Sequence, residues 1–213
     1  TDLLMPNPNV TVAKTKSLDL SCLINLPNVK SDRSWLQHGD AHTNDAVLDD
    51  EILADEAIQA AIAHQGKIAK DLVILNTDRS VGGRISGAIA SQYGNSGFAG
   101  EITLIFKGSA GQSFGAFNLP GMNMIIAGEA NDYVGKGMHG GEIIIAPSSK
   151  STYDAATNVI IGNTCLYGAT GGALYANGRA GERFAVRNSM GKAVIEGAGD
   201  HCCEYMTGGL VIV

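Results

Sequence analysis

Met122-Asn123-Met124-Ile125-Ile126-Ala127-Gly128-Glu129-Ala130-Asn131-Asp132-Tyr133-Val134-Gly135-Lys136-Gly137-Met138-His139-Gly140-Gly141 is one period of a pattern that fills the second half of the chain. An apolar run ends at a glycine, a polar bend carries a residue tolerant of left-handed backbone, and a further glycine closes the unit. In the same register stand Ile102-Thr103-Leu104-Ile105-Phe106, Ile143-Ile144-Ile145, Val159-Ile160-Ile161, residues 173–176, Ala193-Val194-Ile195 and residues 210–213. The closing glycines Gly121, Gly141, Gly172, Gly191 and Gly209 are 20, 31, 19 and 18 residues apart, and the excursion Pro147-Ser148-Ser149-Lys150-Ser151-Thr152 accounts for the long interval. Each run is too short for a helix, and the period leaves no room for one. The pattern predicts a mainly β chain, a single-stranded parallel β-helix whose coils each pair with the coils on either side. Gly108, Gly128, Gly162, Gly172, Gly178, Gly191, Gly197 and Gly209 are its expected corners. Phe114, Val134, Gly168, Phe184 and Cys203, each six residues past a strand-ending glycine, are expected to form a second inward ladder.

Composition shifts along the chain. Of the 28 glycines, 20 lie in residues 101–213, whereas the first hundred residues hold three of the five prolines and 12 of the 21 acidic residues. That shift predicts an irregular, partly helical lead-in over residues 1–75 and a β-helix over 76–213. The net charge of −6 argues against a nucleic-acid partner, whose phosphates need a basic patch. No apolar run is long enough to span a bilayer. Cys22, Cys165, Cys202 and Cys203 form neither a paired framework nor a metal spacing, which suits a reducing compartment. The chain starts at Thr1 and stops inside the run Leu210-Val211-Ile212-Val213, so it is expected to be a piece of something larger, with an open last strand through which copies could associate.

Within the lead-in, Asp49 or Asp50 can cap a helix carrying Ile52, Leu53, Ala57, Ile58, Ala61 and Ile62, stopped by Gly66. Leu72-Val73-Ile74-Leu75 reads as a buried strand, and Val81, Ile85, Ala88 and Ile89 keep helical spacing in a second helix expected to cover one end of the stack. Trp35 suits a local core first and an interface second.

Four constellations invite a chemical reading. Gly135-Lys136-Gly137-Met138-His139-Gly140 fits the G-x-G-x-x-G string of dinucleotide-binding proteins, but that fingerprint must open a helix, and the strand-like Glu142-Ile143-Ile144-Ile145 follows. Corner chemistry is the better reading, with an independent nucleotide-binding domain as the alternative. Cys202 and Cys203 are adjacent, so on a strand they would face opposite sides and not share a metal. His38, His42, His64 and His139 are scattered. Arg179, Arg183 and Arg187, with Glu182, are either paired within the chain or a docking face.

The segments Gly108-Ser109-Ala110-Gly111-Gln112-Ser113-Phe114-Gly115-Ala116-Phe117, residues 128–137, residues 161–172, Gly178-Arg179-Ala180-Gly181-Glu182-Arg183-Phe184 and Glu204-Tyr205-Met206-Thr207-Gly208-Gly209 together resemble the carboxy-terminal glycine-repeat (GXGXG) domain of the glutamate synthase large subunit. Asn76-Thr77-Asp78-Arg79-Ser80-Val81-Gly82 resembles the segment leading into it, and residues 18–26 with Arg33-Ser34-Trp35-Leu36 look like the ferredoxin-dependent enzymes. The resemblance implies a right-handed β-helix with a supporting role. The family enzyme moves the amide nitrogen of glutamine onto 2-oxoglutarate and, with reducing electrons, makes two glutamates. Its glutaminase cysteine, its FMN and its [3Fe-4S] cluster lie in other domains, so the resemblance implies no catalytic residue, cofactor or metal in this chain. The implied partners are the glutaminase and FMN-binding synthase domains of the same protein, in the cytoplasm or the plastid stroma.

Overall fold

The structure, a computed structural model, describes residues 7–16, 18–21 and 46–213. The chain divides into two units, Thr1–Asn44 and Asp45–Val213. In the first, the described residues include α1 (Ala13–Lys16) and an Asp19 carboxylate that accepts the Ser21 N–H at 2.8 Å. Trp35, Cys22, His38 and His42 lie outside the described residues.

The second unit opens with α2 (Leu48–Ala54) and α3 (Glu56–Ala63), followed by β1 (Lys67–Ile74), α4 (Gly83–Tyr93), β2 (Glu101–Ala110), β3 (Met122–Ala130), β4 (Glu142–Ala146), β5 (Val159–Ile161), β6 (Ala173–Ala180), β7 (Lys192–Gly197) and β8 (Leu210–Ile212). All pairings are parallel, in the order β1-β2-β3-β4-β6-β7-β8, and β5 stands off this path. The parallel ladder therefore begins at Lys67, ahead of the boundary expected at residue 76, because Ile68-Ala69-Lys70 matches Ile102-Thr103-Leu104 residue for residue.

Alternation decides the faces. Leu104, Met124, Ile143, Leu174 and Ala193 are aligned across the strands, as are Phe106, Ile126, Ile145, Ala176 and Ile195, and both columns are buried. Each large side chain removed from water in this way contributes about 1.5–3 kcal/mol. Phe106 meets Phe114 edge to face at 5.3 Å between ring centroids. Ile52, Ile58, Ile62, Ile85 and Ile89 of α2, α3 and α4 belong to the same core.

The bends that follow the strands are bonded to one another from repeat to repeat as a wall, and this wall is not extended. Tyr133, Gly135 and Gly137 have φ of 63, 64 and 63°, and every other residue of the corresponding bends is left-handed too: Ser113, Gly115 and Phe117; Thr164, Leu166 and Gly168; Arg183, Ala185 and Arg187; His201, Cys203 and Tyr205. Their N–H groups point alternately to the next repeat and the previous one: Tyr133 donates to the Asn163 carbonyl at 2.9 Å, Gly135 to that of Phe114 at 2.9 Å and Gly137 to that of Tyr167 at 2.8 Å. Residues between them close turns, as when Lys136 donates to the Tyr133 carbonyl at 3.1 Å. A non-glycine residue held left-handed costs about 1–2 kcal/mol, which the bonds to both neighbouring repeats sustain.

Several expectations change here. The single helix expected after Asp49 breaks at Asp55, whose extended backbone (φ −69°, ψ 119°) ends α2 and caps α3 through Ala57 and Ile58 N–H groups at 2.9 and 3.2 Å. Asp49 caps neither; buried, it accepts the Gly82 and Arg84 N–H groups, each at 2.8 Å, at the start of α4. Val159-Ile160-Ile161 opens no new repeat: Ile161 pairs with Ala180, and Ala130 pairs with Ile161, so β5 completes the repeat that β4 began. The inward ladder runs Phe114, Val134, Cys165, Phe184, Cys202, because the N–H of the following residue in each repeat bonds the repeat before, as Leu166 does to Val134 at 2.7 Å and Cys203 to Phe184 at 2.8 Å. Gly168 and Cys203 are thus misplaced by the fixed six-residue offset.

Candidate interaction surface

The glycines expected at corners differ in what they require of the backbone. Gly108, Gly172, Gly178 and Gly209 have φ of 133, 80, 151 and 87°. Gly128 lies directly beside Gly108 in register, and a Cβ built on it would collide with the Gly108 carbonyl oxygen. Gly178 marks a register shift between Ala176 and Arg179. Gly162, Gly191 and Gly197 are not left-handed but crowded: a Cβ would stand 2.6 Å from the Asp132 nitrogen, 2.9 Å from Asn188 Oδ1 and 2.9 Å from Arg179 Nε respectively.

Side-chain acceptors tie repeat to repeat along the same edge. Asp132 Oδ1 accepts the Asn163 N–H at 2.7 Å, and Asn163 Oδ1 accepts the Glu182 N–H at 2.8 Å. The buried Asn188 holds Gly191 twice, accepting its N–H at 2.8 Å and donating to its carbonyl at 2.9 Å.

The Gly135–Gly140 string has no free backbone donor. Gly135, Lys136, Gly137 and Met138 donate to the carbonyls of Phe114, Tyr133, Tyr167 and Gly135, and His139 and Gly140 both donate to that of Asn118. A phosphate cradle needs such N–H groups aimed outward at a helix start, and β4 follows instead. The alternative of a nucleotide-binding loop is thereby overturned.

Arg183 and Arg187 are engaged with the following repeat. Arg183 Nη1 lies 3.6 Å from Glu204 Oε2, and the Arg187 guanidinium sits 5.9 Å from the Tyr205 ring centroid. Arg179 is exposed on β6. Both stacked arginines are also left-handed, with φ of 59 and 57°, so their direction is set by the wall.

His139 bridges two segments that no sequence spacing connects: its Nδ1 is 2.8 Å from Thr170 Oγ1 and its Nε2 is 3.2 Å from Ser96 Oγ. The third member is a hydroxyl rather than a carboxylate, and it lies within 3.5 Å of the Met138 carbonyl, so His139 ties Ser96, ahead of β2, to the Thr170 bend.

The Cys202 and Cys203 sulfurs lie 3.6 Å apart, contrary to the opposite-faces expectation, because Cys203 is left-handed and the pair is in the wall, not in a strand. Burial, then the Cys203 thiol beside it, pushes the Cys202 thiol up to about 11. Burial pushes Cys165 up to about 12. Among the described residues no three His, Cys, Asp or Glu side chains are grouped to hold a metal ion.

Outside the sheet, residues 148–151 and Tyr153 rise beside Lys107 and Ala127 and enclose a groove of about 680 Å³. Among the described residues, no helix is long and apolar enough to cross a membrane.

Residues 49–213 match the family model described as the GXGXG motif. The whole chain is 65% identical over 213 residues to ferredoxin-dependent glutamate synthase 2 of Synechocystis sp., covering 14% of that protein. It is 54% identical over 211 residues, 99% of the chain and 14% of the relative, to the ferredoxin-dependent glutamate synthase of Pyropia yezoensis. Ferredoxin-dependent glutamate synthase 1, chloroplastic/mitochondrial, of Arabidopsis thaliana is 53% identical over 214 residues, covering all of the chain and 13% of the relative. The chain thus spans about one-seventh of the length of these relatives. With its glycine-punctuated repeats matched from residue 49 to residue 213, the chain belongs to the GXGXG motif family.

Proposed function

We propose that the chain is the right-handed β-helical domain of a ferredoxin-dependent glutamate synthase, and that it holds the glutaminase and FMN-binding synthase domains of that protein together without taking part in the chemistry. The observation that carries this reading is whole-length similarity to one-seventh of such enzymes. The bonding of the wall supports it, since Asp132 and Asn163 spend side-chain acceptors on joining repeats. The working place is the cytoplasm or plastid stroma, in keeping with cyanobacterial and chloroplast relatives. FMN and the [3Fe-4S] cluster belong on this reading to the other domains. A second contact is self-association through β8, which pairs with β7 and ends the strand order with Leu210 and Ile212 about half exposed.

The test has two arms. Calorimetric titration of the chain with FMN, nicotinamide nucleotides and glutamine should show no saturable heat. In the full-length enzyme, Gly128→Val should leave glutamine hydrolysis in place while glutamate formed per glutamine consumed falls. Saturable binding by the chain, or unchanged coupling in a variant shown to have lost the repeat, would refute the proposal.

A further inference from the structure

Strand register places Ile105, Ile125, Ile144, Tyr175, Val194 and Ile212 in one column across β2, β3, β4, β6, β7 and β8. This column lies on the opposite face from the buried columns of Leu104 and Phe106, since successive residues of a strand alternate. The isoleucines at its start are half-buried, whereas Tyr175, Val194 and Ile212 are 40, 41 and 51% exposed. Polar residues line both sides: Thr103, Asn123, Glu142 and Lys192 on one, Lys107 and Glu196 on the other. A continuous apolar column rimmed by mixed charge is the pattern of an interface, and parallel sheets are ordinarily covered on both faces.

We infer that this column is the face on which another domain of the same, longer polypeptide docks, which rests on the linking role proposed above. Six rungs at ~4.8 Å spacing and three columns of alternate residues make a face of roughly 300–500 Å². That matches one side of an inter-domain contact within a chain, about 300–750 Å² per side. It falls short of the ~800 Å² per partner that a stable independent dimer buries. The relatives supply such domains, since the chain accounts for 14% of the Synechocystis protein. The docked surface should be apolar at its centre, with both charge signs at its rim to meet Glu142, Lys192 and Glu196.

The full-length protein provides the test. With the photo-crosslinking residue benzoylphenylalanine in place of Tyr175, irradiation should join this position to residues of the same polypeptide outside the present chain. Val194→Cys should react with a maleimide on the order of tenfold more slowly than Val159→Cys, whose parent valine is 60% exposed away from the column. All three replaced side chains are exposed, and unchanged melting temperatures check that the variants fold. A crosslink to a second copy, a crosslink to residues 1–45, or equal labelling of the two cysteines would each overturn the inference. Equal labelling in a protein whose glutamine use stays coupled to glutamate formation would overturn this face while leaving the linking role standing.

Discussion

Two alanines test the left-handed wall with the same chemical change. Ala185 is fully buried at φ 55°, and Ala193 is 2% exposed in the extended strand β7. At Ala193, replacement by glycine removes a buried methyl group, about 0.8 kcal/mol, and adds unfolded-state freedom, about 0.5–1 kcal/mol. The expected loss is about 1.5 kcal/mol, or about 3–6 °C in Tm for a chain of this size. At Ala185 the same two losses are offset by release of about 1–2 kcal/mol of left-handed strain, so Ala185→Gly should fall within about 0.5 kcal/mol of the parent chain. Urea unfolding followed by circular dichroism, with calorimetry for Tm, measures both. Equal destabilisation at the two sites would show that Ala185 bears no strain, and the account of the wall would fail.

Asn188→Ala leaves the buried Gly191 N–H without its partner, while the Gly191 carbonyl still accepts the Leu210 N–H at 3.2 Å, and should cost about 1–3 kcal/mol by urea melt. Cys165 should resist alkylation at pH 8 in the folded chain, because its thiol, pushed up to about 12 by burial, stays protonated; mass spectrometry after iodoacetamide treatment checks this. The Lys70 ammonium and the first N–H groups of α3 hold the Asp55 carboxyl below its ordinary value. Its contribution to stability is therefore present above the unfolded carboxylate range and lost as pH falls through the depressed value, so Asp55→Asn should flatten the acid side of the stability profile. Light scattering on the chain should show concentration-dependent association that Ile212→Lys reduces; a monomer at high concentration would exclude pairing through β8.

Runs such as Ile143-Ile144-Ile145 were legible as strands because β-branched residues between glycines have few other uses, and β4 follows that run. The wall was not legible. Glycine advertises left-handed backbone at Gly135 and Gly137, but the equivalent places in later repeats hold Leu166, Gly168, Ala185, Arg187, Cys203 and Tyr205, mostly residues whose local preference lies elsewhere. Bonds between repeats override that preference, and they involve residues some 20–30 positions apart that no local window contains. The same blindness moved the inward ladder from Cys165 to Gly168 and set Cys202 and Cys203 on opposite faces. Asp55 breaks a helix without glycine or proline because its own carboxylate restarts the next one. Asp49 looked like a cap and is one, but for α4, more than thirty residues away. Of the candidate surface, the arginines stood out by type alone; the column from Ile105 to Ile212 needed the register, which turns six unremarkable residues into one stripe.

The 147–158 excursion shows where the stack accepts extra length. β4 ends with Ala146 held against Ala127, and β5 resumes with Ile161 beside Ala130 and Ala180, so the inserted residues leave the rungs on either side in place. Within the wall, by contrast, one added residue would exchange every left-handed position for a right-handed one and misdirect each N–H beyond it. The fold thus has a port and a lock: new peptide can be grafted between the sheet and the wall of a repeat, as length is cheap in a surface loop, whereas the wall itself counts residues strictly.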